Sequence, residues 1–157
     1  MKHILILEDE TCTLEYLTEI VREVSRDVVI HAVNNVKDAY YYAMESTIDL
    51  FMVDIVLDTK KPGDCSGLSY VEQIRSIDKY VVTPVIMITA LEDADKICYE
   101  KLHCYSFVEK PFDKKTVQRY VRNCLRAPER SSPPKDLFFR KDGIIHMVRP
   151  ETIVYVE

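Results

Sequence analysis

Polar side chains at four places in the chain have types that suit phosphoryl chemistry. The stretch Phe51-Met52-Val53-Asp54-Ile55-Val56-Leu57 sets one carboxylate inside an otherwise continuous apolar run. Such a run reads as a strand buried on both faces, and an ionised Asp is among the costliest groups to bury without a partner. Two explanations fit. Asp54 is a turn or capping residue, or Leu50 to Val53 form the strand and Asp54 emerges at its C-terminal end, where open parallel sheets place their ligand crevice. The first apolar run, "ILIL", leads into Glu8 and Asp9; "VIMIT" ends on Thr89; "FVE" leads into Lys110 before Pro111. Taken singly, these are capping acids, a strand threonine and a surface lysine. Arriving together at corresponding strand ends, they describe a site. Three gathered carboxylates repel one another unless a cation intervenes, and Mg²⁺ is the hard, oxygen-seeking occupant that suits them. With Asp54 as a carboxylate nucleophile, such an ion would neutralise and orient an incoming phosphoryl group. Lys110 would add positive charge opposite the metal, and the Thr89 hydroxyl would donate to a phosphoryl oxygen.

The elements needed to hold these residues are legible in the periodicity. "KHILIL" (2–7) is a short strand, and Leu14, Leu17, Ile20, Val21 and Val24 then recur at helical spacing. "VVIHAV" (28–33) is strand-like. Residues 36–45 read as a short helix whose Tyr40, Tyr41 and Tyr42 cannot share one face, so some pack and some are exposed. "DLFMVD" (49–54) is the third strand, and Leu68, Val71, Ile74 and Ile77 space as a helix. "VVTPVIMITA" (81–90) predicts a fourth strand with Pro84 near its beginning. Residues 92–104 read as helix, "YSFVEK" (105–110) as a fifth strand, and Val117, Val121, Cys124 and Leu125 mark a last helix. Strands alternating with helices five times predict an α/β fold, a parallel sheet covered on both faces.

A change of character follows. "RAPERSSPPKD" (126–136) carries three prolines and two serines and marks a linker. Beyond it, Asp142-Gly143 lies between two apolar stretches, a hairpin signal, and "TIVYV" offers another strand. The organisation expected is a domain over 1–126, a linker over 127–135 and a β-rich segment over 136–157 too short to build its own core.

Composition narrows the function. The chain of 157 residues has a net charge of −5, and its 127–157 segment balances its charges, so no basic face for nucleic acid is evident. No apolar run approaches the roughly 20 residues of a membrane span, and the N-terminus turns acidic before a signal-peptide core forms, which suggests a cytoplasmic protein. The five cysteines are scattered and read as reduced and mostly structural; the four histidines are dispersed in sequence, leaving a zinc site unsupported. Only three glycines occur, so a Gly-rich phosphate loop is absent.

The stretches "ILILEDE", "FMVDIVL", "VIMITA" and "FVEKPF" together resemble the receiver domain of two-component response regulators. The resemblance implies a doubly wound, five-stranded parallel sheet of order 2-1-3-4-5. It also implies that Asp54 is phosphorylated by a sensor histidine kinase, and that Glu8 and Asp9 bind Mg²⁺ with Asp54 and the backbone carbonyl of Val56. Thr89 and Phe107 match the switch pair, Lys110 matches the family lysine, and the Lys110-Pro111 bond would be cis. Two departures stand out. Glu8 occupies a position where Asp is commoner, and the stretch from Asp54 to Gly67 is longer than the family's loop, which places an insertion in 58–66. Asp58 and Asp64 there are not assigned as ligands, and Lys60 and Lys61 are expected to be solvated.

"LFFRKDGIIHMVRPETIVYVE" is similar to the opening of a LytTR-type DNA-binding domain, which implies a truncated output module and, in the complete protein, promoter DNA as a partner. The function expected is therefore a phosphorylation-controlled transcription regulator, with homodimerisation an open possibility and no membrane partner. The alternative is a receiver acting through protein–protein contact, with 136–157 a partner-binding tail. A turnover enzyme is not expected: aspartate-nucleophile phosphatases resemble one another in a second Asp two residues after the nucleophile, and here that residue is Val56.

Overall fold

The computed structural model describes residues 1–90 and 104–126, together with the backbone of two short strands, Leu137–Lys141 and Ile144–Val148. Residues 92–103 of the helix expected over 92–104, the linker, the Asp142-Gly143 turn and "TIVYV" lie outside the described residues, and Cys104 itself is not helical. The chain divides into two compact units, Met1–Arg126 and Ala127–Glu157.

In the first unit the strands are β1 (Lys2–Leu7), β2 (Val28–Val33), β3 (Leu50–Val53), β4 (Val85–Thr89) and β5 (Ser106–Glu109). They pair in parallel in the order β2-β1-β3-β4-β5, the doubly wound order the motifs implied. The described helices are α1 (Thr11–Val24), α2 (Val36–Glu45), α3 (Ser66–Arg75) and α4 (Lys114–Arg126). Because strand side chains alternate between faces, each inner strand feeds two cores. Leu5, Leu7, Phe51, Val53, Val85 and Met87 pack with α2 and α3 through Ala39, Ala43, Tyr70, Val71 and Ile74. Ile4, Ile6, Leu50, Met52, Ile86 and Ile88 pack with α1 and α4 through Leu17, Ile20, Val21, Val117, Val121 and Cys124. Burial on both faces is why these strands read as unbroken apolar runs.

Three local expectations are corrected. β4 begins at Val85, after Pro84, rather than at Val81. Val81 and Val82 are 50% and 72% exposed in a turn that follows a 3₁₀ segment at Asp78–Tyr80. The turn holds this shape because Arg75 donates to the carbonyls of Tyr80, Val81 and Thr83 at 2.8, 3.2 and 2.6 Å. Second, the dispersed histidines do not stay apart: pairing of β1 with β2 brings His3 Nδ1 within 3.0 Å of His31 Nε2. Tyr42 tilts over His31, Tyr40 packs on Tyr70, and Tyr41 faces solvent, so the tyrosine triplet splits as its spacing requires. Third, the cysteines divide. Cys104 and Cys124 are buried, whereas Cys12 and Cys65 are exposed and fill no core.

The second unit shows β6 (Leu137–Lys141) and β7 (Ile144–Val148) paired antiparallel, in register from Leu137 opposite Val148 to Lys141 opposite Ile144. Among the described residues no helix is long and apolar enough to cross a membrane.

One backbone contact couples the fold to the strand ends. Gly67, in the first turn of α3, donates its N–H to the Ile55 carbonyl at 3.0 Å, and a Cβ placed on it would stand 1.7 Å from the carbonyl oxygen of Asp54. No side chain fits, because the obstacle is backbone rather than a flexible neighbour. Gly67→Ala should therefore displace either α3 or the Asp54 peptide and lower stability by roughly 1–3 kcal/mol or more, the usual cost of overpacking. Urea unfolding monitored by circular dichroism reads this directly, and an unchanged midpoint would contradict the contact.

Candidate functional site

At the C-terminal edge of the parallel sheet, each strand hands its last peptide to a neighbour. The Asp54 N–H donates to the Leu7 carbonyl at 2.9 Å, the Glu8 N–H to Val33 at 3.1 Å, and the Lys110 N–H to Thr89 at 2.8 Å. These bonds put Glu8, Asp54, Thr89 and Lys110 at one level without contribution from their side chains. The Lys110-Pro111 peptide is cis.

The side chains then converge. Lys110 Nζ lies 2.6 Å from Asp54 Oδ2 and 2.7 Å from Glu8 Oε2. Glu8 and Asp54 are only 1% and 5% exposed. The other Asp54 oxygen, Oδ1, accepts from the Val56 N–H at 3.0 Å, and Glu8 Oε1 accepts from the Glu10 N–H at 3.3 Å. Glu8, Asp9 and Asp54 each offer a carboxylate oxygen, and the three atoms lie within 4.8 Å of one another. Among the described residues this is the one group of three or more acidic, His or Cys side chains so gathered. Thr89 is fully buried, and Phe107 is half-buried against the core on the α2 and α3 side, one strand away.

Charge dominates the electrostatics. Burial pushes the Glu8 carboxyl from its usual 4.5 up to about 7; the hydrogen bond from Lys110 opposes this and repulsion from Asp54 adds to it. Burial works against the Lys110 ammonium as well, but the bonds from Asp54 and Glu8 outweigh it and hold its pKa above the usual lysine range. One ammonium is thus shared between two buried carboxyl groups. The donor set, all oxygen and mostly carboxylate, fits a hard divalent ion of the Mg²⁺ type, and Val56 lines the same cleft.

That cleft, about 520 Å³, is lined by Glu8, Asp9, Glu10, Asp54, Val56, Thr59, Thr89, Ala90 and Lys110. Every residue expected at the site except Phe107 lines it. Thr59, Ala90 and Glu10 were not assigned to the site from the sequence, although Glu10 closes the acidic run after the first strand and the insertion that carries Thr59 is extra chain beside Asp54. Asp58 and Asp64 do not line the cleft. Asp64 instead ties the insertion together: its Oδ2 accepts from the N–H groups of Leu57 and Asp58 at 2.9 and 3.2 Å and from Ser66 Oγ at 2.7 Å. The bond from Ser66 leads these in holding its carboxyl below the usual aspartate range. Lys60 and Lys61 are exposed.

Comparison with known proteins gives the same frame. The family model of the response regulator receiver domain matches residues 4–122. The transcriptional regulatory protein CusR of Escherichia coli (strain K12) is 32% identical over 124 residues, 78% of this chain and 51% of that protein. HprR, a transcriptional regulatory protein of the same strain, is 28% identical over 152 residues, 96% of this chain and 64% of that protein. The chain spans about half the length of the first curated relatives it matches. Among solved structures, the receiver domain of a DNA-binding response regulator from Colwellia psychrerythraea 34H superposes with a TM-score of 0.68 at 21% identity, over 80% of this chain and 98% of that one. The sheet order, the acidic strand ends and the family match over residues 4–122 agree, and the chain belongs to the response regulator receiver domain family.

Proposed function

We propose that residues 1–126 accept a phosphoryl group on Asp54 from a sensor histidine kinase and so control an output carried by the rest of the protein. The observation that supports this best is the Lys110 ammonium, bonded at once to Asp54 and Glu8 within an acidic cluster on a solvent-open cleft. In the transfer, an Asp54 oxygen attacks the phosphorus of a phosphohistidine, the P–N bond breaks, and its electron pair returns to the imidazole. Lys110 already contacts one Asp54 oxygen and would balance charge that develops on the phosphoryl oxygens. The Thr89 hydroxyl supplies a further donor from the end of β4. Glu8, Asp9, Asp54 and the Val56 carbonyl would hold Mg²⁺, which when bound neutralises phosphoryl charge. Thr89 and Phe107, on the paired strands β4 and β5, form the switch that reports phosphorylation to the surface. The chain acts as an acceptor and not as a turnover enzyme.

The output proposed is transcriptional. CusR and HprR are named transcriptional regulatory proteins, and the sequence over 136–157 resembles the start of a LytTR-type DNA-binding domain, with β6 and β7 forming an antiparallel pair. A mobility-shift assay on promoter DNA, with the protein carrying its whole output region, tests this. Sequence-specific binding strengthened by phosphorylation is expected; no specific binding in either state favours a protein–protein output instead.

For the acceptor itself, incubation with acetyl phosphate and Mg²⁺ should add one labile phosphoryl group by intact-protein mass spectrometry. Asp54→Asn should abolish the adduct, and Lys110→Ala should slow its formation. Equal labelling of Asp54→Asn would reject the assignment.

The raised Glu8 pKa sets a pH dependence. In the metal-free native state Glu8 keeps its proton up to about pH 7, whereas in the unfolded chain it ionises near 4.5. Between those values the native state binds the extra proton, so this group's contribution to stability is present below 4.5 and is lost as pH rises to about 7. Denaturation in EDTA should show that decline, and Glu8→Gln should flatten it. Added Mg²⁺ should raise the melting temperature more at pH 8 than at pH 5.5, because binding must displace the proton at the lower pH. A Mg²⁺ effect independent of pH would remove Glu8 from the ligand set.

A further inference from the structure

The segment between Asp54 and Gly67 is a built structure. The Lys61 N–H donates to Asp58 at 3.0 Å, closing one β-turn, and the Asp64 N–H donates to Lys61 at 3.1 Å, closing a second. The second turn places Pro62 and then Gly63, with φ of +74°, at its centre, the residues a type II turn requires. The Asp64 carboxylate, 6% exposed, gathers N–H groups from both ends of the segment, and the Gly67 to Ile55 bond fastens its base. A loop tied at its base, at both turns and through its centre presents its corner residue at a fixed place. Thr59 is that residue, second in the first turn, and it lines the cleft beside Asp54 and Lys110 while remaining open to solvent.

Apart from its charged residues, the cleft is lined by Val56 and Ala90, whose side chains can neither donate nor accept a hydrogen bond, and by two threonines. Thr89 has a hydroxyl but is fully buried. Thr59 therefore carries the solvent-exposed hydroxyl of the cleft through which water reaches a phosphoryl group bonded to Asp54. We infer that Thr59 positions the water that hydrolyses the aspartyl phosphate, so that the insertion sets the lifetime of the phosphorylated state. The inference rests on the acceptor role proposed for Asp54. The water oxygen bonds to phosphorus, the P–O bond to Asp54 breaks, and its electron pair returns to the carboxylate. The two water protons leave on the released inorganic phosphate and in bulk solvent. Thr59 holds the water by accepting one of its hydrogens and is unchanged at the end.

The test is the decay of the phosphorylated chain after loading with acetyl phosphate and removal of the donor, followed by mass spectrometry or by phosphate release. Thr59→Val keeps the shape and removes the hydroxyl. It should take up phosphoryl groups at the same initial rate as wild type, melt at the same temperature, and lengthen the half-life by roughly threefold to tenfold, the effect of one positioning hydrogen bond. Thr59→Ser should retain the wild-type half-life, a rescue that a purely steric role does not give. A Thr59→Val half-life equal to or shorter than that of wild type would overturn the proposal, as would a Thr59→Ser half-life as long as that of the valine variant. Failure of every variant, wild type included, to take up phosphate would count instead against Asp54 as an acceptor.

Discussion

The bridge from Lys110 to Asp54 and Glu8 is the interaction on which the sheet edge depends. Strand neighbours sit about 4.8 Å apart, so a residue leaving β5 meets one leaving β3 only by crossing the end of β4. Lys110 crosses there because β4 stops at Thr89 and Ala90 follows with a single methyl group. Reaching on to Glu8 joins β5 to β1 as well, at 2.7 Å. Two carboxylates at 1% and 5% exposure without that ammonium would be uncompensated buried charge, and breaking a buried ion pair from one side costs several kcal/mol. The longer side chain of Glu8 belongs to the same geometry: it begins three strands away and still meets the lysine.

A second constraint works from the backbone. α3 approaches the Asp54 carbonyl so closely that only a glycine fits at 67, and the N–H of that glycine closes the loop over Ile55. The acceptor peptide is therefore pinned on one side by β1, through Leu7, and on the other by the first turn of α3. Extra chain inserted between these two anchors cannot extend the strand or lengthen the helix. It has to form a self-contained bulge, and the two turns fastened by Asp64 are that solution. An insertion next to a site usually loosens it; this one is kept stiff by a carboxylate spent on backbone donors rather than on a metal.

Much of this was legible before any coordinates. The unbroken apolar runs of β1, β3 and β4 reported burial on two faces, and the polar residue ending each run reported the crevice, because period and charge are local properties of the chain. Strand order came from family resemblance and not from pattern. What the sequence hid is tertiary. His3 and His31 look unrelated until β1 pairs with β2, and Val81 and Val82 look like strand until Arg75 is seen holding the preceding turn. Gly67 reads as one more turn glycine, since nothing local announces a carbonyl 1.7 Å from its missing Cβ. Pro62-Gly63 is a dipeptide that favours a turn, but which of its neighbours lines the cleft depends on how Asp64 folds the loop.

The charge on the cleft explains why such a site must be conditional. A phosphoryl donor brings negative charge to a place where Glu8, Asp9 and Asp54 already gather and where one ammonium is shared between two of them. The nearby lysines of the insertion do not alter the balance, because Lys60 and Lys61 are exposed and solvated, and charges in water attract weakly across several ångströms. Protonating Glu8 relieves both the cost of burying its charge, the main cause of its raised pKa, and the repulsion from Asp54, but it removes a ligand at the same time. A divalent cation relieves the repulsion without that loss. The same residues that make Asp54 a poor target for an anion in isolation thus make it a good one when a cation is bound, and for the acceptor role proposed above the dependence on metal follows from the charges alone.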